Sequence, residues 1–391
     1  MFLAFPEFDI YSTPLLLLSL QGLLFTVLLI SRYFNGRNVS DFILALILLF
    51  TCFGQTCYTV GFMAWYDTFR TTKINYVLFN VSLALAPLIY LYVKSITTSH
   101  FRFRKRDWLH FLPLILFLVY RASIYFYDSG QSGFDEVQNG VLKLSLDEPY
   151  ILPLITVFGF GQMLLYLAFT FQLFYNYRKK INAFFSNTYK LELNWIRNFL
   201  VLYAFLFLYD MIQTAIASYF TELNYMQRWW LNLFVGLTII YVGIKGYFTD
   251  TTKLKKLNFS FTPNQITIPD VDLSRDRPID KKSVENLERF MEMEKPYLNP
   301  ELNLVDLAKQ VNMSRAQLSE AINTGFGRNF NDFINMYRVQ AFKKMIAAEK
   351  HQQLSLLGIA FECGFNSKAT FNRVFKKLTH SSPSEFLKTA Y

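Results

Sequence analysis

Residues 358–377 read GIAFECGFNSKATFNRVFKK. Ala360 is small enough to let two helices cross closely. Gly364, four residues on, tolerates the left-handed backbone of a tight turn. Asn366 then stands where a second helix needs an N-cap, and Phe371, Val374 and Phe375 follow at helical spacing. The same order occurs 52 residues upstream, in LVDLAKQVNMSRAQLSEAI (304–322), where Ala308, Asn312 and Ser314 keep the spacing. Ser314 and Gln317 also form a capping-box pattern, and Leu318 and Ile322 supply the buried side. The pattern is helix, tight turn, helix, and it is present twice.

Between the copies, NFNDFINMYRVQAFKKMIAA (329–348) predicts a helix of about 18 residues. Phe330, Phe333, Ile334, Tyr337, Ala341 and Met345 give it a period near 3.6. At 1.5 Å per residue the rod is roughly 27 Å long. That length can hold two recognition helices about one DNA turn, ~34 Å, apart. Upstream, SVENLERFMEMEKPYL places Leu287, Phe290 and Met291 on one helical face, and Pro296 ends that helix.

Residues of about 284–391 resemble the AraC family of bacterial transcription regulators. LVDLAKQVNMS, GRNFNDFINMYRVQAFKKM and LLGIAFECGFNSKATFNRVFKKLTHSSPSEF carry the likeness. The resemblance implies two helix-turn-helix units joined by a long helix, and sequence-specific binding to double-stranded DNA. The family usually has Gly where His380 stands, Arg where Leu387 stands and an aromatic where Thr370 stands. Its usual N-terminal partner is a soluble ligand-binding domain, which this chain lacks at that place.

Residues 300–391 hold twelve Lys and Arg, Arg338 among them, against seven Asp and Glu, a basic excess that suits phosphate contact. The exposed side of the first recognition helix is expected to show Arg315, Ala316, Gln317, Ser319, Glu320 and Asn323. That of the second is expected to show Ser367, Lys368, Asn372, Arg373, Lys376 and Lys377. Arg and Gln read guanine and adenine edges bidentately. Arg315, Gln317, Lys368 and Arg373 are therefore the candidates for base contact, and Lys376 and Lys377 for phosphate.

The rest of the chain is a different material. The whole is 391 residues with net charge +10, 52% hydrophobic, with 42 Phe and 24 Tyr, and the apolar residues concentrate before about Thr249. Seven runs are long enough to span a bilayer: approximately 14–33, 42–65, 75–97, 108–127, 151–175, 196–220 and 229–248. Trp65, Trp108, Trp195, Trp229 and Trp230 lie near their ends, as an interfacial belt would. No Lys or Arg precedes Arg32, so the first run is no cleavable signal peptide. One set of connections carries about 16 basic residues and the alternate set about five. The positive-inside rule then puts the N-terminus outside and everything after 250 in the cytoplasm of a bacterial inner membrane. Seven, an odd number, agrees.

Polar residues within spans are functional candidates. Asp210, in YDMIQTA, is the main one, with Gln213 beside it. Gln21, Gln55 and Gln162 are weaker cases. The acidic stretch 128–150 reads as a solvated outer loop. The predicted organisation is a seven-span all-α membrane domain (1–249), an exposed connector (250–282) and a double helix-turn-helix domain (283–391). Three cysteines give no disulfide framework, and Cys52 and Cys57 read as small core residues. Four scattered histidines give no metal site, and no cofactor motif appears. Nor is there a Ser-His-Asp grouping, an HExxH or a Gly-rich phosphate loop, so no enzyme is expected. The expected function is a membrane-anchored transcription regulator with DNA, the lipid bilayer and an unknown ligand or envelope partner as its partners. A homodimer is the natural route to paired half-sites, although no heptad repeat is present. The alternative is a transporter or channel with a regulatory DNA-binding tail; the spans show neither charged pathways nor repeat symmetry.

Overall fold

The computed structural model describes residues 7–64, 73–76, 81–98, 101–188, 191–249 and 281–390. The described residues are helical throughout, without a strand. They fall into two compact units, one comprising 1–174 and 194–261, the other 175–193 and 262–391. The predicted connector 250–282 lies outside the described residues except for its last two, which begin a helix.

The first unit is built from α1 (Ser12–Gly36), α2 (Val39–Phe62), α3 (Ser82–Thr97), α4 (Leu112–Ser129), the first part of α5 (Leu152–Phe184), α6 (Asn194–Tyr219) and α7 (Tyr225–Tyr247). Six of its helices are long and apolar enough to cross a membrane, counting the turns that lead into α4 and α5. The seventh predicted span, 75–97, is described as the 16-residue α3, preceded by residues outside the description. Most of α3 is buried, so protein rather than lipid surrounds it.

Small residues set the packing of α1, α2 and α7, the usual device where apolar side chains gain nothing by leaving lipid. A Cβ on Gly22 of α1 would stand 2.3 Å from Cys52 Sγ and 2.4 Å from Ile239. Where these helices end, Arg32 forms a fork on Asp41, with nitrogen–oxygen distances of 2.6 and 2.9 Å. It also donates to the carbonyls of Gly246 and Tyr247 at the end of α7, where carbonyls lack the regular i+4 donor. An arginine counted in the sequence as a topological charge is thus also a C-cap.

The stretch 128–150 is not simply a solvated loop. Asp128 and Asp147 are fully buried. Asp128 accepts from the Tyr76 hydroxyl (2.6 Å) and from the amides of Leu142 and Lys143. Asp147 accepts from Arg121 (2.5 Å) and Lys143 (2.6 Å). Composition suggested solvent exposure because it does not show which donors converge on these carboxylates: a tyrosine hydroxyl and two backbone amides on Asp128, Arg121 of α4 and Lys143 on Asp147.

The second unit contains the end of α5 and α8 (Lys281–Glu294), α9 (Leu304–Gln310), α10 (Arg315–Glu320), α11 (Phe330–Ala347), α12 (Leu356–Glu362), α13 (Lys368–Thr379) and α14 (Pro383–Ala390). Two cores share α11. Leu287, Met291, Leu304, Leu307, Leu318 and Phe333 form one. Phe342, Ile346, Ile359, Phe365, Phe371 and Phe375 form the other. Each such side chain, fully buried, stabilises the unit by about 1.5–3 kcal/mol before entropy is charged against it. The single face predicted for the rod is right only for its first half. Val339, Phe342 and Ile346 bury the second half, while Ala341 and Met345 are only half-buried. A rod serving two cores on different sides has two apolar faces, which a single 3.6-residue stripe cannot represent.

Candidate nucleic-acid interface

Both turns use the left-handed backbone that the sequence demanded, with φ of 54° at Asn312 and 89° at Gly364. Ser314 caps α10 by accepting from the Gln317 amide, and Gln317 Oε1 accepts in return from the Ser314 amide. Such a cap stabilises a helix by about 1 kcal/mol. In the second unit the cap is Ser367, which accepts from the Thr370 amide at 3.2 Å, and not Asn366. The two first helices are offset by 52 residues and the two recognition helices by 53, because the second turn is one residue longer. Leu318 therefore corresponds to Phe371, and Ile322 to Phe375; all four are buried.

Arg315, Gln317 and Asn323 of the first unit are exposed, and Ser319 is half-buried. In the second unit Lys368, Asn372, Arg373, Lys376 and Lys377 are exposed, with Ser367 half-buried as the cap. The structure thus places the candidates on accessible surface, with two already engaged: Arg373 with Glu192 at 2.7 and 3.0 Å, and Lys377 with Asp332 at 2.7 Å. Gln317 has its carbonyl committed to the cap.

Arg338 does not belong among the phosphate candidates. It is 1% exposed. Its guanidinium donates to the carbonyls of Tyr297 (2.8 Å), Asn299 (2.8 Å) and Ser186 (3.3 Å). Burial pulls its pKa down to about 10, so at neutral pH it stays charged. It ties the segment before α9 to the long rod. The sequence gives no sign of this, since a charged residue in a helix reads as solvent-facing until its neighbours are known.

The last ten residues of α5 and the connection after it are part of this unit, whereas the sequence pattern predicts a span that ends near 175. Phe174, Tyr177 and Ile181 are buried at helical spacing. That period, continuing through the basic run Arg178–Lys180, is the signal that could have revealed a longer helix. Nothing local could have told what it meets.

His380 occupies the C-cap of α13 with φ 61° and donates its amide to the Lys376 carbonyl. The position requires a left-handed residue, which accounts for the glycine usual in the AraC family. His380→Gly is expected to stabilise the domain by about 0.5–1 kcal/mol, read as a raised urea midpoint for proteolysis of the C-terminal part. A lowered midpoint would contradict the strain.

Asp210 lines a cavity of about 700 Å³ in the first unit, with Gln55, Gln162 and Asn232 as further polar lining and Phe160, Phe199 and Phe207 in its walls. Gln55 is 2% exposed, and its Oε1 has no hydrogen-bond partner. Gln213 is not in the lining, and donates to the Gln227 carbonyl at 3.2 Å. Among the described residues no group of His, Cys, Asp or Glu is arranged to hold a metal.

Residues 307–389 match the family model described as "Helix-turn-helix domain", and that part of the chain is an AraC-type helix-turn-helix domain. Over 88 residues the chain is 32% identical to the HTH-type transcriptional regulator MtrA of Neisseria gonorrhoeae, covering 22% of this chain and 28% of that protein. Over 90 residues it is 29% identical to an uncharacterised HTH-type transcriptional regulator of Staphylococcus aureus (strain COL), covering 23% of this chain and 12% of that protein. The chain thus spans well under a third of either relative. No solved structure matches.

Proposed function

We propose that the protein is a membrane-anchored, sequence-specific DNA-binding transcription regulator, carrying a signal from the envelope or bilayer to gene expression. The observation that supports this most is the joining, in one chain, of two capped helix-turn-helix units and a bundle with six helices long enough to cross a membrane. The N-terminus lies outside and the C-terminal domain in the cytoplasm, as the distribution of Lys and Arg indicates. The domains are 1–249 and 283–391, joined by 250–282. Arg315, Gln317, Ser319 and Asn323 face one stretch of DNA, and Ser367, Lys368, Asn372, Arg373, Lys376 and Lys377 another. Two chains acting on paired half-sites supply avidity. The cavity around Asp210 and Gln55 is where a small apolar molecule with a hydrogen-bond donor would act. Such a ligand regulates only if it binds two states of the bundle unequally.

The test is DNA binding by the full-length chain in lipid nanodiscs. It is expected to select among duplexes, and a carboxyl-terminal reporter is expected to face the cytoplasm. Lys376→Ala with Lys377→Ala should weaken binding to all sequences alike. It should also flatten the slope of log K against log salt by about 1.8, two phosphates at ~0.9 each. An unchanged slope removes these two lysines as phosphate contacts. A periplasmic reporter, or a chain with no preference among duplexes, removes the proposal itself.

A further inference from the structure

Glu192 stands in the connection from α5 to α6, in the apolar half of the sequence, yet it belongs to the same compact unit as the helix-turn-helix domain. Its carboxylate is 2% exposed. Arg373 of the second recognition helix approaches it with both terminal nitrogens, at 2.7 Å to Oε1 and 3.0 Å to Oε2. Thr188 Oγ1 donates to Oε1 at 2.7 Å, and Arg178 to Oε2 at 3.4 Å. This is fork-to-fork pairing, the strong form of a charged hydrogen bond, and it is built on a positioned loop. Ser186, itself fully buried, donates its hydroxyl to the Leu302 carbonyl at 2.6 Å. The Asn331 amide donates to the carbonyls of Phe185 and Ser186. Phe184 packs on the first core. The described loop residues are therefore seated on the DNA-binding domain by the segment before α9, by α11 and by α13 together.

We infer that residues 184–188 with Glu192 are an internal pseudo-ligand of the second recognition helix: Glu192 holds the guanidinium of Arg373 that DNA would otherwise take, and these residues must leave for the domain to bind. The inference rests on the proposed DNA-binding function and adds its regulation. Two physical facts make the states exclusive. A buried carboxylate whose bidentate arginine turns away keeps a weaker set of partners, Arg178 at 3.4 Å and Thr188, which is unfavourable, so release of Arg373 is opposed while Glu192 stays in place. A seated Glu192 would also put a negative charge beside the phosphates approaching α13. The loop has only nine residues between the end of α5 and the start of α6. A displacement of either helix along its axis must therefore be taken up by the loop, which gives a bundle of apolar helices a means of reaching the groove-reading surface.

Other surfaces of α13 remain for the first encounter. Lys368, Asn372 and Lys376 follow one another four residues apart, and the two lysines form no ion pair with a described residue. Arg373 and Lys377 form the neighbouring row and are both engaged by acids. Docking of the loop thus takes Arg373 out of that row, Lys377 being held by Asp332 of α11 within the domain, and leaves the other row open, which predicts weak, poorly selective binding when docked and selective binding when released.

The experiment uses the full-length chain in nanodiscs and a duplex that the wild type selects. Glu192→Gln keeps the size of the side chain and its bond to Thr188 and removes the charge. It is expected to tighten binding about tenfold or more, and the gain should vanish in the Glu192→Gln, Arg373→Ala double variant. Equal or weaker binding by Glu192→Gln overturns the inference, as does a gain that survives without Arg373. A second measurement needs no variant. Hydrogen exchange at the amides of residues 185–188 should accelerate when the wild-type chain binds DNA, and unchanged protection in the complex overturns the inference. Failure of the wild type to bind any duplex would instead refute the function on which the inference depends.

Discussion

Arg338→Met is expected to lower the stability of the C-terminal unit by about 3 kcal/mol. Methionine keeps most of the stem's packing and removes a buried charge, and the second change alone is favourable. Against this, the carbonyls of Tyr297, Asn299 and Ser186 each lose a donor, as does Ser186 Oγ. A hydrogen bond from a charged donor is worth about 1.5–3 kcal/mol, and the guanidinium makes five at once from one planar fork, Asn335 Oδ1 included; the Ser186 and Asn299 carbonyls keep the Asn331 amide and the Leu302 N–H. The lost charged hydrogen bonds, with the Tyr297 carbonyl left unserved, outweigh the relieved charge. Arg338→Lys should be nearly as damaging, because an ammonium on a flexible stem cannot span the same set. The measurement is urea-dependent proteolysis of residues 281–390 in the full-length chain held in nanodiscs. A loss below about 1 kcal/mol would mean that water reaches these carbonyls once the arginine is gone. Because Ser186 lies on the docked loop, the variant should also loosen that loop, so stability and DNA affinity are expected to move in opposite directions.

Gly364→Ala is the second large effect. The residue has φ 89°, where a side chain is strained, at about 1–2 kcal/mol. An added Cβ would meet the Tyr297 carbonyl oxygen at 2.3 Å and that of Leu298 at 2.9 Å. Both obstacles are backbone, held in place by Arg338, and cannot swing aside as a side-chain tip would. The two terms together are expected to cost about 3–5 kcal/mol and to reopen the angle between α12 and α13. Selective DNA binding should fall with it, while the first helix-turn-helix unit stays folded around Leu304, Leu307 and Leu318. Asn312→Ala, at the matching turn of that unit, lacks the steric term and should cost only about 1–2 kcal/mol. Equal losses at the two positions would show that backbone conformation alone governs both turns. The Gly364 and Arg338 variants share the Tyr297 carbonyl, so their effects should not add.

Much of this protein is set by local chemistry. Ala360, Gly364 and a polar cap before a run of Phe specify a helix, a turn and a second helix whatever else the chain contains, because each choice answers to sterics or to an unpaired amide within a few residues. The repeat of that order at 304–322 makes the motif double, and apolar runs of twenty residues or more make long membrane-type helices. The N-cap at Ser367 in place of Asn366 shows the limit: a one-residue extension of a turn leaves the pattern legible and the register wrong.

Tertiary structure alone decided matters where the partner is distant in sequence. Arg338 is a core residue because three carbonyls converge on it. Asp128 and Asp147 are buried because a tyrosine hydroxyl, two amides, an arginine and a lysine surround them. The rod α11 carries two faces because two cores flank it. Glu192 and Arg373 stand 181 residues apart. Periodicity reports what lies within one or two turns of a helix. A charge's burial and its partner are set by which other segments arrive, and that is a property of the folded chain.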